Sequence, residues 1–220
     1  MRVSLVIPTL NEEEAIGKVL SDIPSDIVDE VLVADSSSDA TPEIAMSFGA
    51  KVILERRKGY GRALQSGVEN SEGEIVVYMD GDYTYDPRDI PKIIKPILSG
   101  KCDVVIGNRL NQLMYPRAMN ILNRFGNSVI SLFLSVTFLR RVIDTQCGLR
   151  AIRKRFLKGL YYTDYGMPYV TEQLIKLVKK GARIDNVAIT YRPRVGQTKL
   201  CAWTDGLRII KVVLSERLSR

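Results

Sequence analysis

Short, continuous apolar runs recur along the chain, at Val3 to Ile7, Val31 to Ala34, Val52 to Leu54, Ile75 to Met79 and Val104 to Ile106. Runs that are apolar at consecutive positions, rather than alternating, are the pattern of strands buried on both faces. Strands of that kind need helices above and below them. Segments of helical character do fall between the runs: one opening at Asn11-Glu12-Glu13-Glu14, one near Glu43 to Phe48 behind Thr41-Pro42, then Gly61 to Val68 and Ile90 to Leu98. The repeat therefore predicts an α/β domain with a mostly parallel sheet flanked by helices. At 220 residues, 45% of them apolar and 26% charged, one such domain is expected.

In sheets of this class ligands sit beyond the carboxyl ends of the strands. Polar clusters fall at those ends here: Pro8 to Glu12, Asp35 to Asp39, Asp80 to Asp82, and Asn108-Arg109. Taken singly, Asn11 and Asp39 read as helix caps and Gly81-Asp82 as a turn. Convergence of the loops favours a binding site. Asp80 and Asp82 stand one residue apart at the end of an apolar strand, so in an extended chain both carboxylates point the same way. Hard cations such as Mg2+ or Mn2+ take oxygen ligands of this kind and often share them with a substrate's phosphates.

The chain contains no histidine, which removes Ser-His-Asp and Cys-His catalysis and imidazole-based zinc sites. Cys102, Cys147 and Cys201 are far apart and show no Cys-x-x-Cys spacing, so neither a thiolate metal site nor a disulfide framework is expected, and a reducing cytoplasm fits. With 32 basic and 25 acidic residues, the net charge of +7 favours a polyanionic partner without naming it. The P-loop pattern is missing, and Gly59-Tyr60-Gly61-Arg62-Ala63-Leu64 lacks the third glycine of a dinucleotide fingerprint. No leader pattern is recognised at the amino terminus.

Beyond Arg109, the interval Ala118 to Phe138 reads as one long helix, basic at Arg124 and closed by Arg140-Arg141. Its apolar part, Val129 to Leu139, is interrupted by Ser131, Ser135 and Thr137 and is shorter than the ~20 residues that span a bilayer, so a crossing helix is not expected. Core packing and contact with a lipid surface are both open to it. Helices near Lys154 to Leu160 and Tyr169 to Lys179 follow, then a strand pair around Ile184 to Tyr191 and a basic loop from Arg192 to Lys199. The last segment places Trp203, Leu207, Ile210, Leu214 and Leu218 on one helical face.

Several short motifs carry a resemblance: Val6-Ile7-Pro8-Thr9-Leu10-Asn11-Glu12-Glu13, Val33 to Asp39, Lys58 to Leu64, Asp80-Gly81-Asp82, Gly107-Asn108-Arg109, Asp144 to Arg150, and Arg194 to Leu200. In this order they resemble the family 2 glycosyltransferases of the GT-A fold, a Rossmann-like nucleotide-diphospho-sugar-binding sheet, and in particular the dolichyl- and other polyprenyl-phosphate sugar synthases. The resemblance implies residues 1–200 as the catalytic domain and 201–220 as an amphipathic helix. It implies that Pro8, Leu10, Glu12 and Asp35 hold the base and ribose of a UDP- or GDP-sugar, with Lys58 and Arg62 close to the donor. Asp80, Gly81 and Asp82 would anchor the donor, with Asp80 and Asp82 as catalytic residues holding Mg2+ or Mn2+. Arg109, Arg124, Arg194 and Lys199 would meet the phosphate of the lipid acceptor. Asp144 and Glu172 also match family positions, with a structural role open to each.

Such an acceptor arrives as a charged phosphate monoester, which guanidinium groups bind bidentately and which needs little help from a general base. The reaction implied is in-line attack of a phosphate oxygen on the anomeric carbon, with inversion. Asp82 is followed by Tyr83-Thr84, where mannose synthases of the family carry Leu-Gln with the Gln as a metal ligand; this argues against a third protein ligand and against mannose. The expected location is peripheral, on the cytoplasmic face of a membrane. A family member with a soluble saccharide or phosphorylated acceptor is the first rival. A nucleic-acid-binding protein, for which bulk charge alone speaks, ranks far lower, and no nucleic acid is expected as partner.

Overall fold

The computed structural model describes residues 1–196 and 202–218, with the side chains of residues 202 and 203 left aside. In chain order the elements are β1 (Val3–Thr9), α1 (Ile16–Ser21), β2 (Glu30–Asp35), α2 (Thr41–Ser47), β3 (Lys51–Leu54), α3 (Tyr60–Asn70), β4 (Ile75–Tyr78), α4 (Ile90–Leu98), β5 (Val104–Asn108), α5 (Ile121–Phe138), β6 (Arg150–Arg153), α6 (Lys154–Leu157), α7 (Tyr169–Lys179), β7 (Ile184–Ala188) and α8 (Ala202–Leu218). They build a 7-stranded sheet in the order β3-β2-β1-β4-β6-β5-β7. All neighbours run parallel except β6, which is antiparallel to both β4 and β5.

The apolar runs are the middle of this sheet. Leu5, Val6 and Ile7 of β1, Val76 and Val77 of β4 and Val105 and Ile106 of β5 are wholly buried. Each such side chain contributes about 1.5–3 kcal/mol on burial, so the central strands hold the sheet together. Helix α3 packs over β1 and β2, and α4 over β5 and β6.

Four local expectations change. Asn11 opens no helix: it sits in the left-handed region at φ 51, and α1 begins only at Ile16, its entry held by the Ala15 and Ile16 amides donating to the Glu12 carbonyl. Strand β6 has no long apolar run to announce it, since arginines bound its two apolar residues, yet it fills the gap between β4 and β5. The region expected as a strand pair holds one edge strand, β7. Past it the Thr190 amide donates to Asp89 instead of a sheet partner, and Tyr191 makes isolated bridges to Tyr85 and Met114. On α8 the face turned inward is Ile209, Val212 and Val213, whereas Leu207, Ile210, Leu214 and Leu218 stay on the outside.

Helix α5 starts at Ile121 behind an Asn120 cap whose side chain accepts from the Asn123 amide at 2.7 Å. It reaches farther toward the amino terminus than its apolar core, so at 18 residues and a mean hydropathy of 1.2 it is long and apolar enough to cross a membrane by length and composition. Its inward contacts are few: Ser131 and Leu134 are its buried residues, and it packs against α8.

Candidate active site

The register of the parallel strands brings the polar loops together. Thr9 lies beside Asp35 across β1 and β2, and Val6 beside Tyr78 across β1 and β4, so the loops leaving β1, β2 and β4 meet at one end of the sheet. Asp35 is buried; its carboxylate accepts from the Thr9 hydroxyl at 2.6 Å and from the Ser37 amide at 3.1 Å. The first loop is laced to the second. The Asn11 side chain accepts from the Ser38 amide at 2.8 Å, and the Glu12 amide donates to the Thr41 hydroxyl at 2.9 Å. Pro8 is the penultimate residue of β1, and Leu10 just past the strand is exposed at this mouth.

Asp80-Gly81-Asp82 leaves β4 directly into this cluster. A Cβ at Gly81 would lie 2.8 Å from the Thr9 side chain, so only glycine lets the turn pack against the end of β1. Asp80 is confined on two sides: Tyr60 at the start of α3 donates its hydroxyl to Oδ1 at 2.7 Å, and Gly148 presses against the carboxylate so closely that a Cβ there would stand 2.6 Å from Oδ2. Burial first, and the neighbouring Asp82 carboxylate second, push Asp80 up to about 6. Asp82 accepts from the Thr84 amide at 3.0 Å and from its hydroxyl at 2.6 Å on one oxygen, and from Arg194 at 2.8 Å on the other. Arg194 also pairs with Glu12. A guanidinium thus bridges two acidic loops where uncompensated like charges would be costly.

The residues predicted for an acceptor phosphate divide. Arg109 is buried and gives its Nε and Nη2 to Asp144 at 2.7 and 2.8 Å, with the Tyr191 ring beside it. Asp144 has no exposed surface, so this pair is a fixed strut of the loop from β5. Arg124 is exposed on α5 and lines a groove of about 490 Å3 with Leu110, Ser128, Leu132, Arg141 and Val142 among its walls. Arg194 faces the acid pair, and Lys199 lies outside the described residues. On the donor side, Lys58 is exposed ahead of α3, and the Arg62 guanidinium lies 3.3 Å over the centre of the Tyr165 ring.

Other residues reveal their roles only in space. Arg150 is wholly buried and donates to the carbonyls of Thr145, Cys147 and Val170, which fixes the loop carrying Gly148 against Asp80. Glu172, also buried, accepts from the Thr163 and Asp164 amides and pairs with Lys176, shaping the loop before α7. Asp80 and Asp82 remain a pair: among the described residues no group of three or more Asp, Glu or Cys side chains is placed to hold a metal ion. Tyr60 lay inside a motif already singled out, but nothing in the sequence says that its hydroxyl reaches Asp80.

Residues 4–160 match the family model described as glycosyl transferase family 2. Among curated proteins, the chain is 38% identical over 221 residues to a dolichyl-phosphate hexose transferase of Haloferax volcanii, covering 98% of this chain and 95% of that protein. It is 35% identical over 217 residues to a low-salt glycan biosynthesis hexosyltransferase of the same organism, covering 96% of this chain but 52% of the relative, so the chain spans about half the length of that protein. Among solved structures, glucosyl-3-phosphoglycerate synthase from Mycobacterium tuberculosis, in complex with Mn2+, UDP and glucosyl-3-phosphoglycerate, superimposes with a TM-score of 0.79 at 25% identity, over 98% of this chain and 79% of that one. The mostly parallel sheet, the acid pair at its carboxyl end and these matches agree: the chain belongs to glycosyl transferase family 2, with the GT-A fold.

Proposed function

We propose that this glycosyltransferase moves a hexose from a nucleoside-diphosphate sugar to the phosphate of a dolichyl or other polyprenyl phosphate, with inversion at the anomeric carbon. The relative named a dolichyl-phosphate hexose transferase supports the acceptor class, and it matches this chain over nearly its whole length. The observation in the molecule that carries the reading is the outer face of α5. Leu122, Phe125, Val129, Leu132, Val136 and Leu139 follow one another at alternating spacings of about three and four residues, and all are exposed. Leu207, Ile210, Leu214 and Leu218 of the adjoining α8 are exposed as well. Such a surface, bordered by Arg124, Arg140, Arg141 and Arg217, suits the boundary between acyl chains and anionic headgroups. In this reading the protein rests peripherally on the cytoplasmic leaflet. Ile143 lines the groove at Arg124, and the chain runs on from it through Asp144 to Gly148, which lies against Asp80; in this reading the headgroup and the donor approach the same strand end.

Asp80 and Asp82 present hard oxygen donors side by side and fit a divalent cation; the solved relative holds Mn2+, and Mg2+ suits the same ligands. When bound, the ion supplies Lewis-acid stabilisation of the departing diphosphate. The residues do the positioning. Pro8, Leu10, Glu12 and Asp35 flank the nucleoside, and Lys58 and Arg62 stand at the α3 entrance for the diphosphate. Arg194, held by Asp82 and Glu12, is the cation at the point where donor and acceptor phosphates meet, while Arg109 braces the wall and Arg124 receives the lipid phosphate. A phosphate oxygen forms the new bond to the anomeric carbon as the bond to the diphosphate breaks, its electron pair leaving with the nucleoside diphosphate. The acceptor needs no strong base, in keeping with a chain that has no histidine.

The test is an organic-extraction assay with Mn2+ or Mg2+, labelled UDP- and GDP-sugars and a polyprenyl phosphate. Chelator-sensitive label in the organic phase is expected. A second reading has its own support, since the solved relative was crystallised with a soluble phosphorylated product. Transfer to a soluble phosphorylated acceptor, with none to the lipid, would replace the first reading by the second.

A further inference from the structure

The first turn of α3 is held at two points that the reaction has to coordinate. On one side the Gly61 amide donates to the Tyr165 carbonyl at 2.8 Å, and Arg62 stacks on the Tyr165 ring. On the other, the Tyr60 hydroxyl reaches across to Asp80 at 2.7 Å. Among the described residues this is the side-chain hydrogen bond that Asp80 receives, and the close backbone of Gly148 leaves the carboxylate little room to turn away from it. Tyr60 stands between Lys58 and Arg62 in sequence, the two cations proposed to face the donor.

We propose that Tyr60 is the positioning residue of the acid pair: its phenol fixes the orientation of Asp80 and locks it to the donor-facing turn of α3. The inference rests on the reading of Asp80 as part of the donor site. A phenol is suited to this task because it donates a hydrogen bond without bringing positive charge. A lysine or arginine in its place would orient Asp80 equally well but would cancel the negative charge that a cation or a cationic transition state requires. The neighbouring Asp82 is already met by the charged Arg194, so a second cation, on Asp80, would neutralise the pair. Serine or threonine at position 60 is too short for the reach from α3.

The test is a double-mutant cycle on nucleotide binding, with the full chain titrated by calorimetry with UDP and with GDP in the presence of Mn2+. Tyr60→Phe removes only the hydroxyl and is expected to weaken binding of the preferred nucleotide about tenfold, the usual worth of a hydrogen bond to a charged group. Melting temperature should stay close to that of the parent chain, and the KM for acceptor should not move. In an Asp80→Ala background the same substitution is expected to have no further effect, because its action runs through Asp80. Parent-like binding by Tyr60→Phe overturns the proposal, and so does a tenfold loss that persists in the Asp80→Ala background. If Asp80→Ala itself binds nucleotide and Mn2+ as the parent does, the donor-site reading fails; if it loses binding while Tyr60→Phe does not, the fault lies with Tyr60 alone.

Discussion

The two surfaces proposed to do the work are built on opposite plans. At the end of the sheet, charge is concentrated and withdrawn from water: Asp35, Asp82, Asp144 and Arg109 are all buried, and each has a named partner at hydrogen-bond distance. Along α5 the reverse holds, with Phe125, Leu132 and Val136 each about two-thirds exposed (67%, 66% and 65%) and few contacts fixing the helix to the body. The comparison teaches that chemistry on a charged donor needs pre-oriented groups in a dry setting, where electrostatic interactions are strong. In the proposed reading, a lipid acceptor asks instead for a surface that is completed only when the membrane covers it.

The contrast is most sharply broken by Asp82→Asn. Its carboxylate lies at a strand end rather than in the hydrophobic core, so turnover is expected to fall by about a thousandfold while the melting temperature hardly changes. A rate assay paired with a thermal melt checks both halves, and undiminished turnover would remove Asp82 from the site. Asp144→Asn should show the opposite pattern. It leaves Arg109 buried without its counter-charge, at a cost of about 3–5 kcal/mol, and denaturant unfolding should register that loss before any kinetic constant is considered.

On the proposed lipid side the expected effects are smaller and selective. Arg124→Ala should raise the KM for polyprenyl phosphate about tenfold and leave UDP or GDP binding as it was, since the residue is exposed on α5 and far along the chain from the donor loops. An equal loss of nucleotide affinity would argue that Arg124 serves the donor. Leu132→Glu should reduce co-sedimentation with vesicles containing anionic lipid several-fold, without altering stability, because the position is already in water. Unchanged sedimentation would mean that α5 faces something other than lipid.

The gentlest probe is acid. The side-chain hydrogen bond from Arg57, with further help from Ser66, holds Glu55 down to about 2 from a usual 4.5. A carboxyl depressed on folding contributes stability that is fully present above the unfolded value and is lost as pH falls through the folded one. The advantage of the parent chain over Glu55→Gln should therefore be constant near neutrality and shrink between about 4.5 and 2. Melting curves across that range test it.

Much of the polar end of the sheet was legible in the chain itself. The runs that became β1, β2, β4 and β5 are apolar at successive positions because both faces of the sheet are covered, and a two-face burial pattern survives in sequence without any knowledge of partners. Asp80 and Asp82 stood out because the carboxylate pair closes such a run at the end of the sheet where the other polar loops also fall, which a turn reading of Gly81-Asp82 alone does not account for. Strand β6 was hidden, since a short strand bounded by arginines looks like surface; only the guanidinium of Arg150 turning inward to three backbone carbonyls makes it core. The tail misled for a related reason. Helix α8 carries apolar residues on two sides, and a period of 3.6 identifies stripes without saying which one meets the body.

The sequence by itself determined the class of sheet and the polar loops at its carboxyl end, the acid pair among them, because strand burial and the i, i+2 geometry are local properties of the chain. The tertiary structure decided which charges meet. That Arg109 is spent on Asp144, that Arg194 bridges Asp82 and Glu12, and that Tyr60 holds Asp80 are matters of residues brought together from distant parts of the chain. Hydrogen bonds and ion pairs act over a few ångströms of space, and no spacing in the sequence encodes that distance.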